Sequence, residues 1–133
     1  MKIFTSYFAK VKDLPLDVVP ISIVGRPPAN YHGAEYKKLA PKYYSIMMWK
    51  KTHDNENYLK HFREECLEPL VQSDVVAELM TISLDKDIAL ISYEKNGVSH
   101  KREVAKWLRE GGYEVKEYSF KKENNEEEEP MPL

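Results

Sequence analysis

Ser92, Tyr93 and Glu94, followed after four residues by Ser99, His100, Lys101 and Arg102, form the densest run of side chains able to do chemistry in this sequence. Imidazole ordinarily titrates near neutrality, so His100 is a candidate general acid or base. Glu94 can orient it, or pair with Lys95 or Arg26. If a helix begins at Ser99, the backbone N–H groups of residues 99–102 point outward as an anion site, with Lys101 and Arg102 adding positive charge. Arg26 can arrive there from a neighbouring strand end. The chemistry implied is phosphate or carboxylate binding by Arg26, Ser92, Tyr93, Ser99, Lys101 and Arg102, with His100 and Glu94 the candidates for proton transfer. A plainer reading covers the same residues. Ser99 caps a helix, with Arg102 standing where a full capping box would carry Glu. His100 then packs over the first turn before Val104, the basic residues are a solvated face, and Glu94 with Arg26 is a structural ion pair.

These residues need a strand, a turn and a helix to hold them. Residues 87–93 carry the unbroken apolar run Ile88-Ala89-Leu90-Ile91, which predicts a strand buried on both faces, as in a parallel sheet. Lys95-Asn96-Gly97 supplies turn chemistry. Val104, Ala105, Trp107 and Leu108 then recur at helical spacing, with Lys101, Arg102, Lys106 and Arg109 on the other side, and Gly111-Gly112 closes the helix. In open α/β sheets this unit places ligands at the carboxyl end of the strand.

The rest of the chain supplies the frame. Residues 2–8 predict a first strand, residues 9–17 an irregular or one-turn connection, and residues 18–24 a second strand with Pro20 near its start. Residues 29–41 predict a long loop. A helix is expected over residues 42–51, and a clearer amphipathic one over 55–70 with Leu59, Phe62, Cys66 and Leu70 on one stripe, ended or bent in its last turn by Pro69. Ser73 is positioned to cap a helix over 74–82 whose Val75, Val76, Leu79 and Met80 face the core. Residues 113–120 predict an edge strand. The result is an α/β fold: a small single domain over residues 1–120, with a mainly parallel sheet flanked by helices. Residues 121–133 hold five glutamates and two lysines, a net charge of −3 within a total of −2, and predict an acidic, disordered tail.

Composition narrows the function. With 42% hydrophobic and 32% charged residues, the 133-residue chain is ordinary for a globular domain. The small net charge gives no case for a nucleic-acid-coating surface. Tyr31, Tyr36, Tyr43, Tyr44 and Trp49 do lie among Lys37, Lys38, Lys42, Lys50 and Lys51, which a single-stranded nucleic-acid groove would use; an amphipathic layer of lysine stems over rings is the stronger reading. Cys66 is the single cysteine, on an apolar stripe, which suits core packing and a reducing cytoplasm. His32, His53, His61 and His100 have no metal-ligand spacing, so neither a metal nor another cofactor is expected. Without a signal peptide or a long apolar span, the chain is expected in the cytoplasm rather than in a membrane.

Ser92-Tyr93-Glu94, the four-residue spacer and Ser99-His100-Lys101 resemble the signature of a bacterial and phage family known as domain of unknown function 488. The family pattern is Cys-Tyr-Glu, four residues, then Cys-His-Arg. Tyr31, Gly33 and Tyr36-Lys37-Lys38-Leu39-Ala40-Pro41 also resemble the family's loop, and Arg26 lies one position from its usual arginine. Serine in both cysteine slots implies that any thiol chemistry or cysteine-based metal binding of relatives is absent. Three functions follow as expectations. The leading one is binding of a nucleotide or phosphorylated compound with degraded or altered catalysis. The second is a non-catalytic module engaging a protein partner through the acidic tail, and the third is a residual hydrolase with His100 as base.

Overall fold

The computed structural model describes residues 1–93 and 100–120. The turn expected at Lys95-Asn96-Gly97 and the acidic tail of residues 121–133 lie outside the described residues. Five strands, β1 (Ile3–Tyr7), β2 (Val18–Ser22), β3 (Ala34–Glu35), β4 (Asp87–Ser92) and β5 (Val115–Glu117), form one sheet in the order β3-β2-β4-β1-β5. Every pairing is parallel. The apolar run of β4 takes the centre, where Ile88, Ala89, Leu90 and Ile91 are wholly buried. A strand there meets protein on both faces, so it has no use for polar alternation. Pro20 is accommodated because its missing N–H lies on the β3 side of β2, and β3 begins pairing only at Ile21.

The two faces of the sheet are covered unequally. On one, Ile3, Ile21, Ile23, Ile88, Leu90 and Val115 pack against α2 (Asn55–Phe62), α3 (Gln72–Ser83) and α4 (His100–Glu110) through Phe62, Leu79, Val104 and Leu108. On the other, Val18, Ala89 and Ile91 are covered by Phe4, Phe8, Val11, Leu14 and Tyr118. Their cover is the short 3-10 helix Phe8–Asp13, six residues or about two turns where an irregular or one-turn connection was expected, rather than an α-helix. Of α1 (Tyr43–Thr52), only Ser45 is buried, and the helix packs beside α2. Gly112, at φ +94°, ends α4 in the left-handed region, and Tyr113 N–H returns to Leu108 O at 3.1 Å.

Five expectations are corrected. The loop over residues 29–41 contains β3 and a 3-10 turn, Lys37–Leu39. The amphipathic helix over residues 55–70 gives way after Phe62 to a π-turn, Arg63–Leu67, closed by Glu68 N–H to Arg63 O at 2.9 Å. The wider turn brings Leu67 inward beside Cys66. Helix α3 starts at Gln72 with no side-chain cap, and Met80 is exposed rather than facing the core. Lys101, placed by periodicity on the wet face of α4, is buried.

Candidate functional site

The carboxyl end of β4 lies where the connections diverge. From β2 the chain continues outward to β3, whereas from β4 it runs through α4 to β5 at the far edge. Adjacent strands whose connections leave in opposite directions open a crevice at their carboxyl ends, the usual ligand position in such sheets. Ser92 and Tyr93 emerge from β4 there, Arg26 follows the end of β2, and α4 begins at His100.

The start of α4 straddles β4. His100 reaches toward β2: its Nε2 lies 2.7 Å from Ile23 O, and its ring meets Phe62 edge-on at 5.3 Å between centroids. A carbonyl only accepts hydrogen bonds, so Nε2 carries the proton in this contact. Lys101, the next residue, reaches toward β1. Its ammonium, 1% exposed, donates to Ser6 O at 3.1 Å, lies 3.4 Å from Glu117 Oε2 and stands 5.4 Å from the Tyr7 ring centroid. Thr5 Oγ1 donates to the other oxygen of Glu117 at 2.6 Å. These contacts tie α4 to strands on either side of β4.

Tyr93 joins β4 to β2 from the rim. Its hydroxyl donates to Arg26 O at 2.5 Å, and its half-exposed ring packs on Phe8 at 4.9 Å. Phe8 in turn meets Tyr31 at 5.3 Å, and the Tyr31 hydroxyl lies 2.6 Å from Ala34 O and 3.1 Å from Pro20 O. Strand order therefore places Arg26, Tyr93, Ser92, His100 and Lys101 at one edge. Arg26 and Arg102 are exposed. Glu94 and Ser99 lie outside the described residues.

Burial pushes the Tyr31 hydroxyl up to about 12. A phenol that ionises less readily when folded stabilises the fold below its unfolded value of about 10. That stabilisation is lost as pH rises through the folded value. Tyr31→Phe is therefore expected to flatten the fall in stability between pH 10 and 12, read from urea midpoints across that range.

One feature of this edge was missed from sequence. The three central strands each carry a fully buried serine near the carboxyl end: Ser6 in β1, Ser22 in β2 and Ser92 in β4. Ser6 and Ser22 both pair in register with Ile91, and Ser92 lies one residue further along. Ser22 Oγ accepts from Val24 N–H at 3.3 Å. Ser6 Oγ and Ser92 Oγ have no hydrogen-bond partner among the described residues. A buried hydroxyl left unpaired costs about 1–3 kcal/mol. The repeated Thr5-Ser6-Tyr7, Ile21-Ser22-Ile23 and Ile91-Ser92-Tyr93, one hydroxyl closing each apolar strand, was the available signal.

Other candidates resolve into local contacts. Among the described residues no cluster of three or more His, Cys, Asp or Glu could hold a metal. Cys66 is buried, its Sγ 3.4 Å from Ala40 O, and burial pushes the thiol up. In the aromatic and basic segment, Tyr36 donates to Glu78, which Lys38 also approaches at 3.1 Å, and Lys37 donates to Gly25 O at 2.6 Å. Among the described residues no helix is long and apolar enough to cross a membrane.

No curated protein and no solved structure matches the chain. A family model does, over residues 10–112; it is described as the active DUF488-N3 subclade. That span holds the second strand, the Tyr-Lys-Lys-Leu-Ala-Pro loop, β4 and all of α4, and on it the chain belongs to the DUF488 family.

Proposed function

We propose that the protein binds an anionic small ligand, a nucleotide or phosphorylated compound, at the carboxyl edge of β1, β2 and β4. The observation that carries this reading is the Ser92 hydroxyl, buried on the α4 face of the sheet with no hydrogen-bond partner among the described residues, where the sheet connections diverge and α4 begins; Ser6, in register with Ile91, faces the other side. Arg26 and Arg102, both exposed, can form the paired, charge-assisted contacts that phosphate oxygens favour. The buried Lys101 adds positive potential behind them without leaving Ser6 O. Tyr93 shapes the rim, and Ser99 stands at the start of α4 in sequence. Nε2 of His100 is committed to Ile23 O, so any proton transfer by this ring passes through Nδ1. Glu94 is the carboxylate that precedes it in the signature.

Thermal unfolding against a panel of nucleotides and phosphate-bearing metabolites tests the reading. A ligand at a hundredfold excess over its dissociation constant stabilises the fold by about 2.7 kcal/mol. The expected result is a selective shift in wild type that disappears in Ser99→Asp and in Arg102→Ala. A flat response to every ligand overturns it and favours the second reading, a non-catalytic module whose acidic tail engages a protein partner.

A further inference from the structure

The carboxyl edge does not account for the surface of α1. Tyr43, Tyr44 and Met48 are each more than half exposed, and Met47 is 38% exposed beside them. Behind them a groove of about 150 Å³ runs between α1 and α2, lined chiefly by Tyr44, Met48, Trp49, Tyr58 and His61. The ends of α1 are basic, with Lys42, Lys50 and Lys51 all exposed, and no acidic residue occurs between Tyr36 and His53. The acids nearest the groove are already engaged. Glu65 accepts from Tyr44 and Ser45 and lies 3.7 Å from His61, and Asp54 caps α2 by accepting from Asn57 N–H at 3.0 Å. A largely apolar slot lined by aromatic rings and Met48, on a helix whose ends are basic, suits an extended segment that is both acidic and apolar.

We propose that residues 126–133 of this chain are that segment. Glu126–Glu129 would face Lys50 and Lys51, and Met131 or Leu133 would enter the groove over Met48 and Trp49. Charge and apolarity match in one short stretch: four consecutive glutamates, then Pro-Met-Pro-Leu. Reach is ample. The 13 residues after Phe120 span up to roughly 43 Å when extended, against a diameter on the order of 35 Å for a domain of this size. Tethering also places the segment at millimolar effective concentration, so a weak intrinsic affinity suffices for substantial occupancy. The contact would cover an exposed apolar face and leave it available to any partner able to displace the tail.

The test uses the full chain. Glu126, Glu127, Glu128 and Glu129 are changed together to Gln, and α1 amide shifts and acrylamide quenching of Trp49 are compared with wild type. Trp107 is buried and contributes a constant background. The expected result is a displacement of the α1 amides and about a twofold rise in Trp49 quenching, as a roughly half-occupied tail is released. Lys50→Glu with Lys51→Glu should reproduce that change, and adding Glu127→Lys with Glu128→Lys should reverse it. Identical α1 shifts in wild type and the glutamine variant overturn the proposal. So do α1 shifts that depend on protein concentration, which mark a second copy as the occupant. Displacement by an oligothymidylate that is indifferent to the tail glutamates also overturns it, in favour of nucleic acid.

Discussion

Lys101→Glu is expected to cost at least about 4 kcal/mol, a large share of the stability of a domain this size. The side chain at 101 is almost wholly buried and directed at Ser6 O, an acceptor, and at the carboxylate of Glu117. A glutamate there replaces donation by repulsion on both sides and buries a charge with nothing to neutralise it. Lys101→Met should behave differently. It keeps most of the volume and removes the desolvation cost of the ammonium, while half-exposed Glu117 returns to water. Its cost should not exceed about 1–2 kcal/mol, chiefly the lost donor to Ser6 O. Urea unfolding followed by circular dichroism separates the two. Equal stability of Lys101→Glu and wild type would show that the side chain does not turn inward. Lys101→Met also separates support of the fold from support of ligand: a folded variant with weakened phosphate-dependent stabilisation would assign the buried charge a part in the site.

The elements that the sequence made legible are those whose own pattern determines their fate. Ile88-Ala89-Leu90-Ile91 has no polar side to offer water, so it can only be central, and the stripe of Val104, Ala105, Trp107 and Leu108 can face only one way. The failures occurred where another part of the chain decides. Strand β3 is two residues long and exists because β2 presents an open edge and Tyr31 bonds Pro20 O and Ala34 O across it. The stripe of Leu59, Phe62, Cys66 and Leu70 presumed an unbroken 3.6-residue period. The π-turn at Arg63–Leu67 inserts a wider step, and Leu67 is wholly buried as a result. Helical periodicity alone puts Lys101 on the wet face; its partners, Ser6 O and Glu117, belong to β1 and β5 and are set by the sheet order.

The candidate site shows the same division. That Ser92, Tyr93 and His100 lie at the end of a strand and the start of a helix was legible from the strand–turn–helix pattern. That Arg26 stands beside them was not, because it depends on β2 rather than β1 being the neighbour of β4 on that side. The hydrogen bond from Tyr93 to Arg26 O is the direct consequence of that order. The Ser6 and Ser92 hydroxyls escaped notice for a related reason. A serine near a strand terminus is unremarkable until the strands are aligned and it proves to be buried without a partner among the described residues.

His100→Ala is the second substitution expected to have a large effect, about 3 kcal/mol. Two losses add. Ile23 O forfeits its hydrogen bond in a dry setting, and the space against Phe62 empties. His100→Gln can restore a donor toward Ile23 O and should recover part of the stability. The tautomer gives an independent check. With Nε2–H held 2.7 Å from a buried carbonyl, wild type should show a downfield imidazole N–H proton that exchanges slowly and vanishes in His100→Ala. A ring protonated only on Nδ1 would contradict the contact. The glutamine variant also separates latch from chemistry, because glutamine can donate to Ile23 O but cannot relay a proton as imidazole does. Recovered stability and ligand-induced stabilisation, with no turnover of a ligand that wild type converts, would place proton transfer on Nδ1. Recovery of all three would leave His100 as the tie between the ends of β2 and α4, with the anion held by the arginines and the helix start.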